Sequence, residues 1–215
     1  MKKRIFVSAT NTDIGKTYTT KLLLKEFASR GLLVGVIKPI ETGVVNGYAP
    51  DGEALLECVK QLNHKLWSLE VEDIVPITYE LPAAPFVASN NTKLNLKKIL
   101  LKLEEMEASC DVVIIEGAGG LYVPIDENTM MIDLISELNA VALLVTHCSL
   151  GCINDTLLSQ KALADKNISY LTAFNCRDNE ESFKCISEPY FLKTQQKVLK
   201  VDSDIDIICD VLYNL

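Results

Sequence analysis

The strongest constraint on this chain lies near its start, where the apolar run Phe6-Val7-Ser8-Ala9 breaks into Thr10-Asn11-Thr12-Asp13-Ile14 and then Gly15-Lys16-Thr17. Residues 4–9 read as a strand and residues 16–29 as a helix, so a loop of small residues joins a strand to a helix N-terminus. In that setting successive backbone N–H groups curl around an anion at the positive end of the helix. Gly15 lets the main chain approach closely, Lys16 adds a point charge toward the β- and γ-phosphates, and the Thr17 hydroxyl suits Mg²⁺. The usual phosphate loop opens with a glycine where Thr10 stands, so the strict pattern fails at its first position. The strand–loop–helix context carries the assignment instead.

With 215 residues, 48% hydrophobic and 23% charged, the chain can bury a large core, and a single domain over residues 1–215 is expected. The net charge of −8, with no basic cluster beyond Lys2-Lys3-Arg4, opposes binding to nucleic acid or to an anionic membrane. Seven cysteines, at 58, 110, 148, 152, 176, 185 and 209, form no Cys-x-x-Cys pair and have only His64 and His147 beside them. That is no zinc pattern, and buried reduced thiols are expected. No apolar run approaches the length of a bilayer span, and the charged start leads straight into a strand. A cytoplasmic protein is the expectation.

Buried-strand patterns at residues 33–38, 112–116, 141–146 and 169–174 alternate with helical spacing at 53–61, 96–107, 132–138 and 155–165. That alternation predicts an α/β domain in three layers, with a mostly parallel central sheet flanked by helices. Ligands bind such sheets beyond the carboxyl ends of the strands. Lys38-Pro39-Ile40-Glu41-Thr42-Gly43 follows one strand, with Lys38 at the ligand edge. Glu116-Gly117-Ala118-Gly119-Gly120 follows another and resembles a Walker-B acid that emerges near Mg²⁺ or its waters. Asp51 and Glu53 open a helix, where the positive helix end alone accounts for carboxylates. Leu150-Gly151-Cys152-Ile153-Asn154 lies between a strand and a helix, and Asn154 has the chemistry of an N-cap. The tail after Ser187 gives no clear pattern.

Together these motifs make the chain resemble the dethiobiotin synthetases, the ATP-dependent carboxylase-cyclases of biotin synthesis. The family's phosphate loop is one residue longer than the ordinary one, so its opening glycine corresponds to Ala9, while Thr12, Gly15, Lys16 and Thr17 match the rest. Lys38-Pro39-x-x-Thr42-Gly43, Pro82-x-x-Pro85, Glu116-Gly117-Ala118-Gly119-Gly120 and Gly151-Cys152-Ile153-Asn154 match further family motifs, in order, over most of the chain.

The resemblance implies a P-loop NTPase-like fold and a ligase that converts 7,8-diaminononanoate, CO₂ (or bicarbonate) and MgATP to dethiobiotin, ADP and phosphate. It assigns Lys38 and Lys16 to the reacting groups and Asp13, Ile14, Gly15, Lys16, Thr17, Tyr18, Glu116 and Asn175 to the nucleotide. Thr12, Thr42, Gly117, Ala118, Gly119, Gly151 and Asn154 would bind substrate, the last two from the partner subunit of a homodimer. Thr17 and Glu116 would hold Mg²⁺, with either Asp51 or Glu53 as a third acidic ligand. Lys38→Ala is expected to cut turnover strongly and leave the fold intact.

The chain departs from the family pattern at three places. Ala9 replaces a glycine; Asn175-Cys176 stands where the family's Asn-Asp pair reads adenine; and the tail after Glu188-Pro189 is short. Weak discrimination among nucleoside triphosphates is the expectation. A partitioning-type ATPase switch carries a signature lysine where this chain has Asn11, and an amidase-linked ligase would need more residues than this chain has.

Overall fold

The structure, a computed structural model, describes residues 2–177 and 179–215. The first half contains β1 (Lys3–Ala9), α1 (Lys16–Ser29), β2 (Val34–Ile37), β3 (Ile40–Thr42), α2 (Pro50–Leu62), α3 (Val71–Ile74), β4 (Ile77–Tyr79), α4 (Pro85–Ala88) and α5 (Leu96–Glu107). The second half contains β5 (Val112–Gly120), α6 (Met131–Glu137), β6 (Val141–His147), α7 (Cys152–Asp165), β7 (Tyr170–Asn175), α8 (Glu180–Ile186), α9 (Glu188–Lys193) and α10 (Ile205–Asn214).

The central sheet has five strands in the order β2-β5-β1-β6-β7, and every pair is parallel. Parallel strands need crossovers, and the helices supplying them cover the sheet, which is why β1 and β5 read as continuous apolar runs. Ile5, Phe6 and Val7 of β1 and Val112 to Ile115 of β5 are fully buried. From α1, Leu23, Leu24 and Phe27 are likewise buried, each worth about 1.5–3 kcal/mol of transfer free energy. On its outer side α1 packs beside α2 and α10. The forked ion pair from Arg4 to Glu107, at 2.7 and 2.8 Å, ties β1 to the end of α5.

One irregularity shapes the ligand edge. Val7 pairs with Glu116 but Ala9 pairs with Gly120, so residues 117–119 arch past Ser8 next to the phosphate loop. A second, two-stranded parallel sheet of β3 and β4 lies beyond the tip of β2. The backbone N–H of Lys38 donates to Ile74 O of α3 at 2.7 Å, which sets the height of Lys38 at that edge.

Several expectations need correction. The helix expected from residue 53 begins at Pro50, placing Asp51 and Glu53 both inside its first turn. The helix expected from residue 155 begins at Cys152 with Gly151 as N-cap, so Asn154 is not a cap. The tail, which gave no clear pattern, forms α9 and α10, and in α10 Ile208, Cys209 and Leu212 are buried at helical spacing. Cys148 and Cys176 are joined in a disulfide, not reduced. The register His147↔Asn175 explains it, because the residues following that pair lie side by side, with Cα atoms 4.9 Å apart. Cys58, Cys110, Cys152 and Cys209 are free and buried, while Cys185 is free and exposed. Among the described residues, no helix is long and apolar enough to cross a membrane.

Candidate active site

The phosphate loop leaves β1 at Ala9, a buried strand residue paired with Val145 as well as Gly120. No left-handed backbone is required there, so alanine is accommodated without strain. The left-handed positions come later, at Asp13 (φ 57°) and Gly15 (φ 95°). Aspartate is among the few non-glycine residues that tolerate this region. At Gly15 a second restriction applies, because a Cβ would collide with the Asn175 side-chain amide. Helix α1 then starts at Lys16 with no side-chain cap, which leaves its first-turn N–H groups for an anion. The Lys16 ammonium reaches back to Asn11 O at 3.3 Å.

Beneath the loop lies a charged cluster. Lys38, only 3% exposed at the tip of β2, places Nζ 2.8 Å from Glu116 Oε1 and 2.9 Å from Asp51 Oδ2. The Thr17 hydroxyl lies 2.8 Å from the same Glu116 oxygen and 3.2 Å from Asp51 Oδ1. Burial would lower the Lys38 pKa, but attraction to Glu116 and Asp51 outweighs it and raises the value above the usual lysine range. Burial would likewise raise the Asp51 carboxyl, yet attraction to Lys38 and the hydrogen bonds from Lys38 and Thr17 hold it low. Lys16 is pushed down, first by burial and then by repulsion from Lys38.

These groups border a cavity of about 840 Å³. Of the residues singled out in the sequence, Thr12, Asp13, Gly15, Lys16, Thr17, Tyr18, Lys38, Thr42, Asp51, Ala118 and Gly119 line it, together with Pro82 and Pro85. Glu116, fully buried, does not line the cavity but is hydrogen-bonded to two residues that do, Lys38 and Thr17. Ile14 contributes its carbonyl, which accepts from Asn175 Nδ2 at 2.8 Å. Glu53 makes no part of the cluster, although it shares the first turn of α2 with Asp51. Gly117 is required by packing, since a Cβ there would lie 2.8 Å from the Phe6 ring. Gly151 and Asn154 sit outside the cavity at the start of α7, where Asn154 is exposed and donates to Asp155 at 3.1 Å.

Glu41 was missed. It lies on β3, 3% exposed, lines the cavity, and accepts the backbone N–H groups of Asp51 and Gly52. The one available signal was negative: Ala49-Pro50 starts a helix without a capping side chain, so the cap must come from elsewhere. At the far side of the loop the Tyr18 hydroxyl donates to Asp202, and the Arg177 guanidinium stands 4.2 Å above the Tyr18 ring.

The donor set can be tested against a divalent cation. Glu116 Oε2 is buried and has no hydrogen-bond partner, which suits a cation. With the Thr17 hydroxyl and the Asp51 carboxylate it offers hard oxygen donors. Among the described residues no group of three or more His, Cys, Asp or Glu could hold a metal alone. Mg²⁺ does not require one, because it is bound by one or two carboxylates together with substrate phosphates and waters. The residues present fit it.

The family model described as AAA domain matches residues 3–212. The ATP-dependent dethiobiotin synthetase BioD of Sulfurovum sp. (strain NBC37-1) is 46% identical over 87% of this chain and 89% of its own length. The protein of the same name from Wolinella succinogenes is 36% identical over 98% of each chain. Among solved structures, a plasmid partition protein from Borrelia burgdorferi superposes with a TM-score of 0.61 at 11% identity, covering 99% of this chain and 98% of that one. The MinD cell division protein of Aquifex aeolicus gives 0.52 at 15% identity, covering 97% and 86%. Those two likenesses establish the P-loop fold alone.

Proposed function

This chain belongs to the ATP-dependent dethiobiotin synthetase family, and we propose on that premise that it carboxylates 7,8-diaminononanoate and closes it to dethiobiotin, forming ADP and phosphate. The observation that supports the chemistry best is the buried Lys38, held between Glu116 and Asp51 beside the phosphate loop. A lysine in that position is a fixed positive charge where a phosphoryl group and a carbamate would meet.

In the proposed sequence one substrate amine takes up CO₂ and loses a proton, giving a carbamate. A carbamate oxygen attacks the γ-phosphorus, the bond to the β-phosphate oxygen breaks, and ADP leaves. The second amine attacks the carbonyl of this carbamic-phosphoric anhydride, phosphate departs, and the ring nitrogen loses its proton. Such steps need positioning and charge neutralisation more than covalent help. Lys16 and Lys38 offset charge growing on the transferred group, as preorganised cations that need no rearrangement during reaction. Thr17, Asp51 and Glu116 would hold Mg²⁺, which when bound neutralises charge on the β- and γ-phosphates. Asp51, not Glu53, is the third acidic ligand in this reading.

Thr12 and Thr42 would donate to phosphate or carbamate oxygens, and the backbone of residues 117–119 would border the substrate's carbon chain. Gly151 and Asn154 lie outside the cavity of their own chain, which fits a role in the partner's site within a homodimer. Tyr122, Leu150 and Leu158, all more than 60% exposed, supply apolar surface for that contact. A cytoplasmic location accords with this chemistry.

Asn175 bears on the nucleotide base. Its Nδ2 is committed to Ile14 O, and its Oδ1 is a buried acceptor without a partner. An acceptor facing the C6 edge of a purine favours adenine, which has an amino group there, over guanine, which has a carbonyl. The reading is tested with ¹³C-bicarbonate, ATP and the diamine: a cyclic urea carrying one ¹³C is expected, and its absence with a correctly folded protein would refute the reaction.

A further inference from the structure

Helix α2 begins without a cap of its own. Ala49 at the N-cap has no side-chain acceptor, and Pro50 at the first helical position has no N–H. The first free donors are therefore the N–H groups of Asp51 and Gly52. Both are taken by one side chain from another element: Glu41 Oε1 accepts from Asp51 at 2.9 Å and Glu41 Oε2 accepts from Gly52 at 2.9 Å. A buried carboxylate at a helix N-terminus also interacts favourably with the helix dipole.

The consequence lies in what Asp51 does next. Its carboxylate reaches Lys38 Nζ at 2.9 Å and the Thr17 hydroxyl at 3.2 Å. Lys38 and Glu41 belong to one short segment, Lys38-Pro39-Ile40-Glu41. That segment therefore grips Asp51 twice, at its side chain through Lys38 and at its backbone through Glu41. Glu41 is nearly enclosed and both its oxygens accept from the α2 backbone, so its connection to the cluster runs through Asp51.

We propose that Glu41 is a positioning residue that caps α2 across the fold and thereby aims the Asp51 carboxylate at the divalent cation of the nucleotide complex. This rests on the functional reading above for the identity of the site. Partners that orient a metal ligand in this way typically contribute about 10–100-fold to metal affinity.

The test is a double-variant cycle read by Mn²⁺ binding in the presence of ADP, followed by electron paramagnetic resonance, with thermal midpoints recorded alongside. Glu41→Ala should weaken Mn²⁺ binding about tenfold, and Glu41→Gln, which keeps one acceptor oxygen, should weaken it less. In an Asp51→Asn background, Glu41→Gln should weaken it no further, because the residue through which it acts is gone. Unchanged Mn²⁺ affinity in the folded Glu41→Gln and Glu41→Ala proteins would overturn the proposal. So would an effect that adds in full to that of Asp51→Asn. The reaction itself is judged separately on the wild type: Mn²⁺ coupling without cyclic urea formation sinks the synthetase reading and leaves the role of Glu41 standing.

Discussion

Lys38 Nζ stands 2.8 Å from Glu116 Oε1 with the lysine side chain 4% exposed and the glutamate fully enclosed. Removing the cation leaves the buried Glu116 carboxylate without its charge partner, a stability cost that the expectation of an intact fold did not include. Loss of one partner of a buried pair costs about 3–5 kcal/mol. Lys38→Ala should destabilise the protein by about 3 kcal/mol in denaturant titration and lower turnover by about 10²–10³-fold. Adding Glu116→Gln to it should recover much of the stability and none of the turnover. A Lys38→Ala protein with wild-type stability and activity would mean the pair is neither structural nor catalytic.

Asn175 leads to a prediction about the base. The loss of the family's aspartate at position 176 suggests weak selection, and the Cys176 sulfur is engaged in the disulfide to Cys148. The oriented Asn175 amide argues the other way. Leaving a buried acceptor facing the carbonyl of guanine costs about 1–3 kcal/mol, so ATP should bind about tenfold or more tightly than GTP by calorimetry. Asn175→Ala should bring the two constants together. Equal binding of ATP and GTP by the wild type would refute this role.

Asp73 links pH to the same edge of the sheet. Its carboxylate accepts from Glu70 N at 2.8 Å and pairs with Lys102 at 3.0 Å, closing the first turn of α3, whose Ile74 carbonyl holds the Lys38 backbone. The hydrogen bond from Glu70 is the main cause holding the Asp73 pKa below the ordinary value of 3.8. A depressed folded value adds stability above the ordinary pKa and loses it as pH falls through the folded one. Wild type should therefore exceed Asp73→Ala by about 1 kcal/mol between pH 5 and 7. Below pH 4 that gap should close; a gap independent of pH down to acid unfolding would contradict the assignment.

Asn154 separates substrate contact from helix capping. Since Gly151 is the N-cap of α7 and the exposed Asn154 amide donates only to the half-buried Asp155, Asn154→Ala should leave the thermal midpoint nearly unchanged. If it reaches the partner's substrate, the apparent constant for the diamine should rise about tenfold, on the order of one lost hydrogen bond, with that for ATP unmoved. A change confined to stability would remove it from the site.

How much of this was legible in the sequence depended on the range of the cause. Strand and helix order followed from apolar runs such as Val112 to Ile115, because a parallel sheet buried on both faces marks its strands locally. Lys38 and Glu116 were identifiable because each ends such a run, and Lys16 because it belongs to the loop motif Gly15-Lys16-Thr17. Glu41 was not, since its role is set by an α2 start ten residues away that lacks a cap. The choice between Asp51 and Glu53 needed the phase of α2, which Pro50 sets. The Cys148–Cys176 link depended on the β6–β7 register, and α10 was hidden because its isoleucines are equally at home in strands.

The central claim is that the Lys38–Glu116–Asp51 cluster serves phosphoryl transfer to a carbamate of the diamine. The most direct measurement is phosphate release from MgATP and bicarbonate, with and without 7,8-diaminononanoate. Release that requires the diamine, with one phosphate per dethiobiotin formed, is the predicted result. Release at the same rate without the diamine would contradict it and leave a nucleotide hydrolase on this fold.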